Sequence, residues 1–313
     1  MPDNSLRPMR PIQRVPFVEE TLPILNPEAA KTHGKAAHEA HHKPCAGFGL
    51  NTPANAQEFA HGFKHLQKAW PHLTSAQRQQ RIEDLTNAQL HKGGVPKVGI
   101  LPSDLPTDDG QLSFDKWKLM INNNLLNRNN LSEVRAKELA KTVYHESRHA
   151  EQWYLLAQQK AAELHGVAGE TPAQQAQAIH NATGIFAGTA KQAQQHPLDA
   201  HDKRKPCAQA LNDSIYGAHA THRENTLHNS TKTILAYNHA QAHFKNVNSH
   251  YEKLRLNPHA DPSAIQKAYD GAVAAGKQVN AAYATQQKAD QAYRRLPEEA
   301  DAWETEDEMG KFY

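Results

Sequence analysis

The chain has 313 residues, with 35 Lys+Arg against 33 Asp+Glu, a formal charge of +2, 38% hydrophobic residues and only 7% aromatics. Near-neutral charge without a basic stripe gives no reason to expect a nucleic-acid partner, and no run of 18 apolar residues exists to span a membrane. A mean hydropathy of -0.78, with apolar residues that are mostly Ala and Leu, favours small helical cores over a large sheet.

Residues 1–55 are rich in Pro, His, Asn and Ala and show little periodicity, so they are expected to form an extended or partly disordered leader. Its first twenty residues, MPDNSLRPMRPIQRVPFVEE, have no apolar core of a secretory signal. Synthesis in the cytoplasm is expected, and any export would use a route that reads no cleaved signal.

The segments AQEFAHGFKHLQKAW and TSAQRQQRIEDLTNAQL, within 56–92, place apolar groups at helical spacing, with Ser75 as the expected cap. A Gly/Pro loop is expected over 91–110, around the short apolar piece VGIL. In FDKWKLMINNNLL (114–126), Trp117, Leu119 and Ile121 alternate with Lys116, Lys118 and Met120, which predicts a short strand.

The clearest helix spans 131–165. Asn130 and Glu133 make a capping-box-like start, Ala136, Ala140, Val143 and Ala150 line an apolar stripe, and Gly166 and Gly169 stop it. Residues 170–295 are Ala/Gln/His-rich and predict two or three helices, broken near HPLDAHDKRKPC and LNPHADP. Pro297 suits the first turn of a short acidic C-terminal helix. The expected fold is mainly α with a small β-sheet. Its parts would be the leader (1–55), a core with the strand and central helix (56–165), a helical insertion (166–290) and a C-terminal segment (291–313).

Two residue types stand out. Cys45 and Cys207 each sit in the tetrapeptide KPCA, at 43–46 and 205–208. They are either two free thiols or a disulfide tying the N-terminal arm to the middle of the chain, and two cysteines alone do not decide between these. The 21 histidines are mostly expected to face solvent; the pairs His219/His222 and His239/His243 read as polar helix faces, and His38, His41 and His42 sit in the leader, where any metal binding would be adventitious.

His145 and His149 differ. They lie four apart on the central helix, one above the other, in the pentapeptide HESRH. Two imidazoles so placed can bind one zinc ion, and Glu146 beside the first can take a proton from water attacking a carbonyl. A third protein ligand is required. A third histidine six residues after the second is absent, because Leu155 stands there. A carboxylate in LPEEADAW (296–303) is the candidate: Glu299 first, Glu298 as runner-up, with Asp301 accepting a hydrogen bond from a ligand histidine. The central helix and one edge strand would form the cleft. Tyr144, Trp153 and Tyr154 would pack or line it, and Tyr293 is the nearest oxyanion-steadying candidate by position.

VYHESRHAEQWY, with KLMINNNLL before it and LPEEADAW downstream, resembles the zinc metallopeptidase domains of bacterial toxins associated with contractile injection machines, including type VI secretion. The resemblance covers roughly 114–156 and 291–304. It implies a gluzincin-like site with zinc as cofactor, His145, His149 and Glu299 as ligands and Glu146 as base. The 150 positions between His149 and Glu299 would hold the helical insertion. It further implies an antibacterial effector acting on a protein or peptide, delivered into a target cell, with a secretion-machine component and an immunity protein as partners. The same residues also suit a zinc amidase acting on cell-wall peptides. A non-catalytic helical binding or structural protein, using the 170–290 helices as its working surface, is the alternative.

Overall fold

The computed structural model describes residues 45–105, 109–165 and 169–313. The fold is mainly α, with one three-stranded mixed sheet. The chain divides into two compact units: the described part of Met1–Asp213 together with Ala300–Tyr313, and Ser214–Glu299.

In the first unit, helix α1 (Pro53–Ala69) starts with Pro53 after Thr52, whose hydroxyl accepts from the Asn55 N–H. Helix α2 (Ser75–Lys92) is capped one residue earlier than expected. Thr74, not Ser75, accepts from Gln77 N, and the Gln77 side chain accepts from Thr74 N in return. The two helices bury Phe59, Phe63, Leu66, Ile82 and Leu90.

The 91–110 loop contains a strand that sequence reading missed. VGIL contributes to β1 (Gly99–Ser103), which runs parallel to β3 (Lys118–Asn122). Strand β2 (Gly110–Ser113) runs antiparallel to β3 on its other side, giving the order β1-β3-β2. The expected strand is therefore the central one. Its alternation survives within β3, because Leu119 and Ile121 are buried; Trp117, also buried, lies in the turn before the strand, at φ 52°. Strand β1 gained no periodic signal because it is short and interrupted by Pro102. It is held partly by side chains of α2: Glu83 accepts from Ile100 N, and Asn87 both donates to and accepts from Val98. A four-residue helix, α3 (Asn123–Leu126), follows β3 directly.

Helix α4 (Glu133–Leu164) is the spine of this unit, about 48 Å long at 1.5 Å per residue. Ser132, not Asn130, is its N-cap, accepting from Arg135 N. The stripe of Ala136, Ala140, Val143 and Ala150 is fully buried. The middle of the helix is buried well beyond that stripe, and it takes Thr142, His145, Glu146, Ser147, Arg148, His149, Glu151 and Gln152 inside. Buried polar groups are costly without partners, so this stretch demands a network.

Cys45 and Cys207 are disulfide-bonded. Residues 1–44 of the expected leader lie outside the described residues. Residues 45–51 form turns against α4. Gly49 there has left-handed backbone, φ 56°, and a Cβ would stand 1.4 Å from Glu151 Oε1, so only glycine fits. The disulfide closes a separation of 162 residues. A Cys45→Ser, Cys207→Ser double variant is expected to lose about 2–5 kcal/mol, read as a lower denaturant midpoint in equilibrium unfolding.

The described residues of 169–293 form five helices rather than two or three. Helices α5 (Pro172–Thr183), α6 (Ala187–Gln195) and α7 (Lys205–Ile215) precede α8 (Ala220–Arg255) and α9 (Pro262–Tyr293). Gly184, in left-handed backbone at φ 67°, ends α5 and adds a break the composition did not announce. The second unit is essentially the α8–α9 hairpin. Tyr237 meets Tyr283 and Tyr251 meets Tyr269, so rising numbers on one helix face falling numbers on the other and the pair is antiparallel. Helix α10 (Pro297–Phe312) is the acidic C-terminal helix, with Pro297 in its first turn as expected. No helix among the described residues is long and apolar enough to cross a membrane.

Candidate metal centre

The helical repeat puts His145 and His149 on one face of α4, and both are buried. Their Nε2 atoms lie 3.2 Å apart. Helix α10 carries Glu299, also buried, and one ligand atom from each of His145, His149 and Glu299 lies within 4.8 Å of the others. Among the described residues this is the single group of three or more His, Cys, Asp or Glu side chains placed to hold a metal ion. Two nitrogens each about 2.0–2.1 Å from a tetrahedral zinc stand about 3.3 Å apart, so the observed histidine spacing fits such an ion.

Each histidine has a partner for its other nitrogen. His149 Nδ1 is 2.8 Å from Gln152 Oε1. His145 Nδ1 is 3.1 Å from Glu306 Oε2, an ion-pair distance rather than a well-aligned hydrogen bond. The other Glu306 oxygen lies 3.2 Å from Lys141 Nζ. The Trp303 ring meets His145 edge-on at 4.9 Å between centroids. Trp303 and Glu306 follow Glu299 at intervals of four and seven, so one face of α10 presents all three.

Asp301 does not take the expected place. Its oxygens accept from Arg148 Nε at 2.7 Å, Arg148 Nη2 at 3.1 Å, Gln152 Nε2 at 2.7 Å and Asn51 Nδ2 at 2.9 Å. The carboxylate is thus one amide removed from the histidine. The reason is Arg148: it is fully buried beside Asp301 and claims the carboxylate by charge. Burial opposes the guanidinium charge, but Asp301 and Glu151 outweigh it and hold the Arg148 pKa above its ordinary value.

Glu298, the runner-up ligand, is committed elsewhere. It pairs with Arg223 Nε through one oxygen and accepts from Ser214 Oγ at 2.8 Å through the other. Glu146 is buried, and its Oε2 accepts from the backbone N–H of Leu112 at 2.9 Å. The strand that Glu146 engages is therefore the edge strand β2. Tyr144 is buried and donates to Leu50 O at 2.7 Å, and burial, followed by the Glu151 charge, pushes its phenol well up. It serves the clamp on residues 45–51. Trp153 stacks on Phe114 at 4.0 Å. Tyr154 is buried, and burial pushes its phenol up while Arg204 pulls the other way. Tyr293 ends α9 in the second unit.

The pairs His219/His222 and His239/His243 join no three-membered ligand group among the described residues. His38, His41 and His42 lie outside them. Sequence reading missed Gln152, Glu306 and Trp303. The available signals were HESRHAEQ, with Gln three after the second histidine, and the helical spacing of 299, 303 and 306.

No protein-family model matches the chain, and no curated protein and no solved structure shows significant similarity to it.

Proposed function

We propose that the protein is a zinc-dependent hydrolase of peptide bonds. The convergence of His145, His149 and Glu299 within 4.8 Å carries this reading. Bound there, zinc supplies Lewis acidity, polarising a substrate carbonyl and acidifying a water molecule. The chain does the rest. Glu146, held against β2 by the Leu112 N–H, takes a proton from water as the water oxygen bonds to the scissile carbonyl carbon. It then gives that proton to the amide nitrogen as the C–N bond breaks.

The sequence resemblance supports an antibacterial effector delivered by an injection machine. The same chemistry serves a cell-wall amidase, and only substrate trials separate the two. One observation favours a non-catalytic second reading: the α8–α9 hairpin exposes Leu235, Tyr269 and Tyr283, apolar surface suited to a partner.

Elemental mass spectrometry tests the metal. Wild type is expected to carry about one zinc per chain, and His149→Ala is expected to lose it. A wild-type chain that takes up no zinc at neutral pH would leave the helical binding module.

A further inference from the structure

We propose that Gln152 is the residue that positions His149, by fixing which of its two nitrogens carries the proton. This rests on the metal-site reading above. An amide oxygen and nitrogen are told apart by their partners. Here the partner settles the matter. The Asp301 oxygens already accept from Arg148 Nε and Nη2 and from Asn51 Nδ2, an acceptor's place in the network, so the Gln152 group 2.7 Å away is the NH₂. The amide oxygen then faces His149 Nδ1 at 2.8 Å. An oxygen there requires a proton on Nδ1. His149 is thereby held as the Nδ1–H tautomer, with the Nε2 lone pair directed at His145 Nε2, 3.2 Å away.

The order runs Arg148 to Asp301 to Gln152 to His149, and three of its four members stand on α4. A flipped amide would aim an N–H at His149 Nδ1 and an oxygen at a carboxylate. It would favour the other tautomer, whose Nε2–H cannot bind a metal. Gln152 is 1% exposed, so water cannot substitute for its oxygen. The chain from a buried salt bridge to a ring nitrogen is therefore a positioning device, and Gln152 is its last link.

The test uses the full chain, freed of metal, in four forms: wild type, Gln152→Leu, Asp301→Asn, and Gln152→Glu combined with Asp301→Asn. Two-bond proton–nitrogen spectra of the imidazoles, with His149 assigned by its absence in His149→Ala, report the tautomer without any metal. Wild type is expected to show Nδ1–H at His149, and Gln152→Leu to lose that preference. Competition with a chromophoric chelator then reports affinity for Zn²⁺ alone. Gln152→Leu is expected to bind about 10–100-fold more weakly. In the combined variant the carboxylate moves from position 301 to position 152. It still accepts from His149 and now receives an N–H from the amide introduced at position 301, so affinity is expected to return close to wild type.

A merely structural Gln152 would change the unfolding midpoint and leave tautomer and zinc affinity alone in the folded fraction. That result, or Nε2–H at His149 in the wild type, overturns the proposal. A wild type that shows the Nδ1–H tautomer, loses it in Gln152→Leu and yet binds no zinc would uphold the positioning role and overturn the hydrolase reading instead.

Discussion

Replacing Glu146 by Gln is expected to lower kcat/KM for peptide cleavage by about 10²–10⁴-fold, the usual share of a general base, with zinc content unchanged. The substitution keeps the size and shape of the side chain. An amide oxygen can still accept from the Leu112 N–H, which wild-type Glu146 engages at 2.9 Å. What it cannot do is take a proton. Glu146 is also absent from the three-residue ligand group, so the metal affinity is expected to survive. The assay pairs cleavage of a quenched peptide library with elemental analysis of the same preparation. Loss of cleavage with retained zinc places the base at Glu146. Full cleavage by the variant would move the base elsewhere. Unchanged toxicity or binding in a variant that retains zinc would favour the non-catalytic module.

How much of this was legible beforehand depends on the range of the interaction. HESRH was legible because its geometry is local: four residues on one helix fix the face whatever the rest of the chain does. Glu299 was legible only as a residue type near a plausible helix start. It was ranked ahead of Glu298 from the sequence, but the physical reason for that order lies in Arg223 and Ser214, which take up Glu298 from positions 75 and 84 residues away. Asp301 was placed correctly in the neighbourhood and incorrectly in contact. Arg148 stands between the two histidines, and nothing local says that it lies buried and claims that carboxylate. Strands β1 and β2 failed for another reason. They are five and four residues long, too short to establish a period, and they owe their conformation to pairing with β3. The disulfide joins segments 162 residues apart, a fact no spacing rule contains.

Arg148→Leu is expected to be the most destabilising single change, by about 3–5 kcal/mol, lowering the thermal midpoint on the order of 10 °C. The guanidinium is fully buried and has five N–H groups. Nε donates to Asp301, Nη1 to Glu151 and Phe48 O, and Nη2 to Asp301 and Cys45 O, which makes five bonds. The Phe48 ring lies across it at 5.0 Å. Leucine removes all five donors. It leaves the carboxylates of Asp301 and Glu151 buried without their cation, and desolvation of an uncompensated charge is the dominant cost. Lysine is not a substitute, because a single ammonium cannot fork between two carboxylates and two carbonyls. Thermal unfolding followed by circular dichroism measures the loss. Adding Asp301→Asn to Arg148→Leu is expected to recover part of it, since one of the stranded charges disappears. If Arg148→Leu cost less than about 1 kcal/mol, a value typical of an exposed pair, the clamp on residues 45–51 would have to reside in the disulfide and in the Glu151–Leu50 and Tyr144–Leu50 bonds. The same variant is expected to weaken zinc binding, because Asp301 without its cation no longer fixes the Gln152 amide. Stability and metal affinity are thus coupled through one buried side chain, which stands between the two histidines in sequence and joins the helix that bears them to residues 45–51 and to α10.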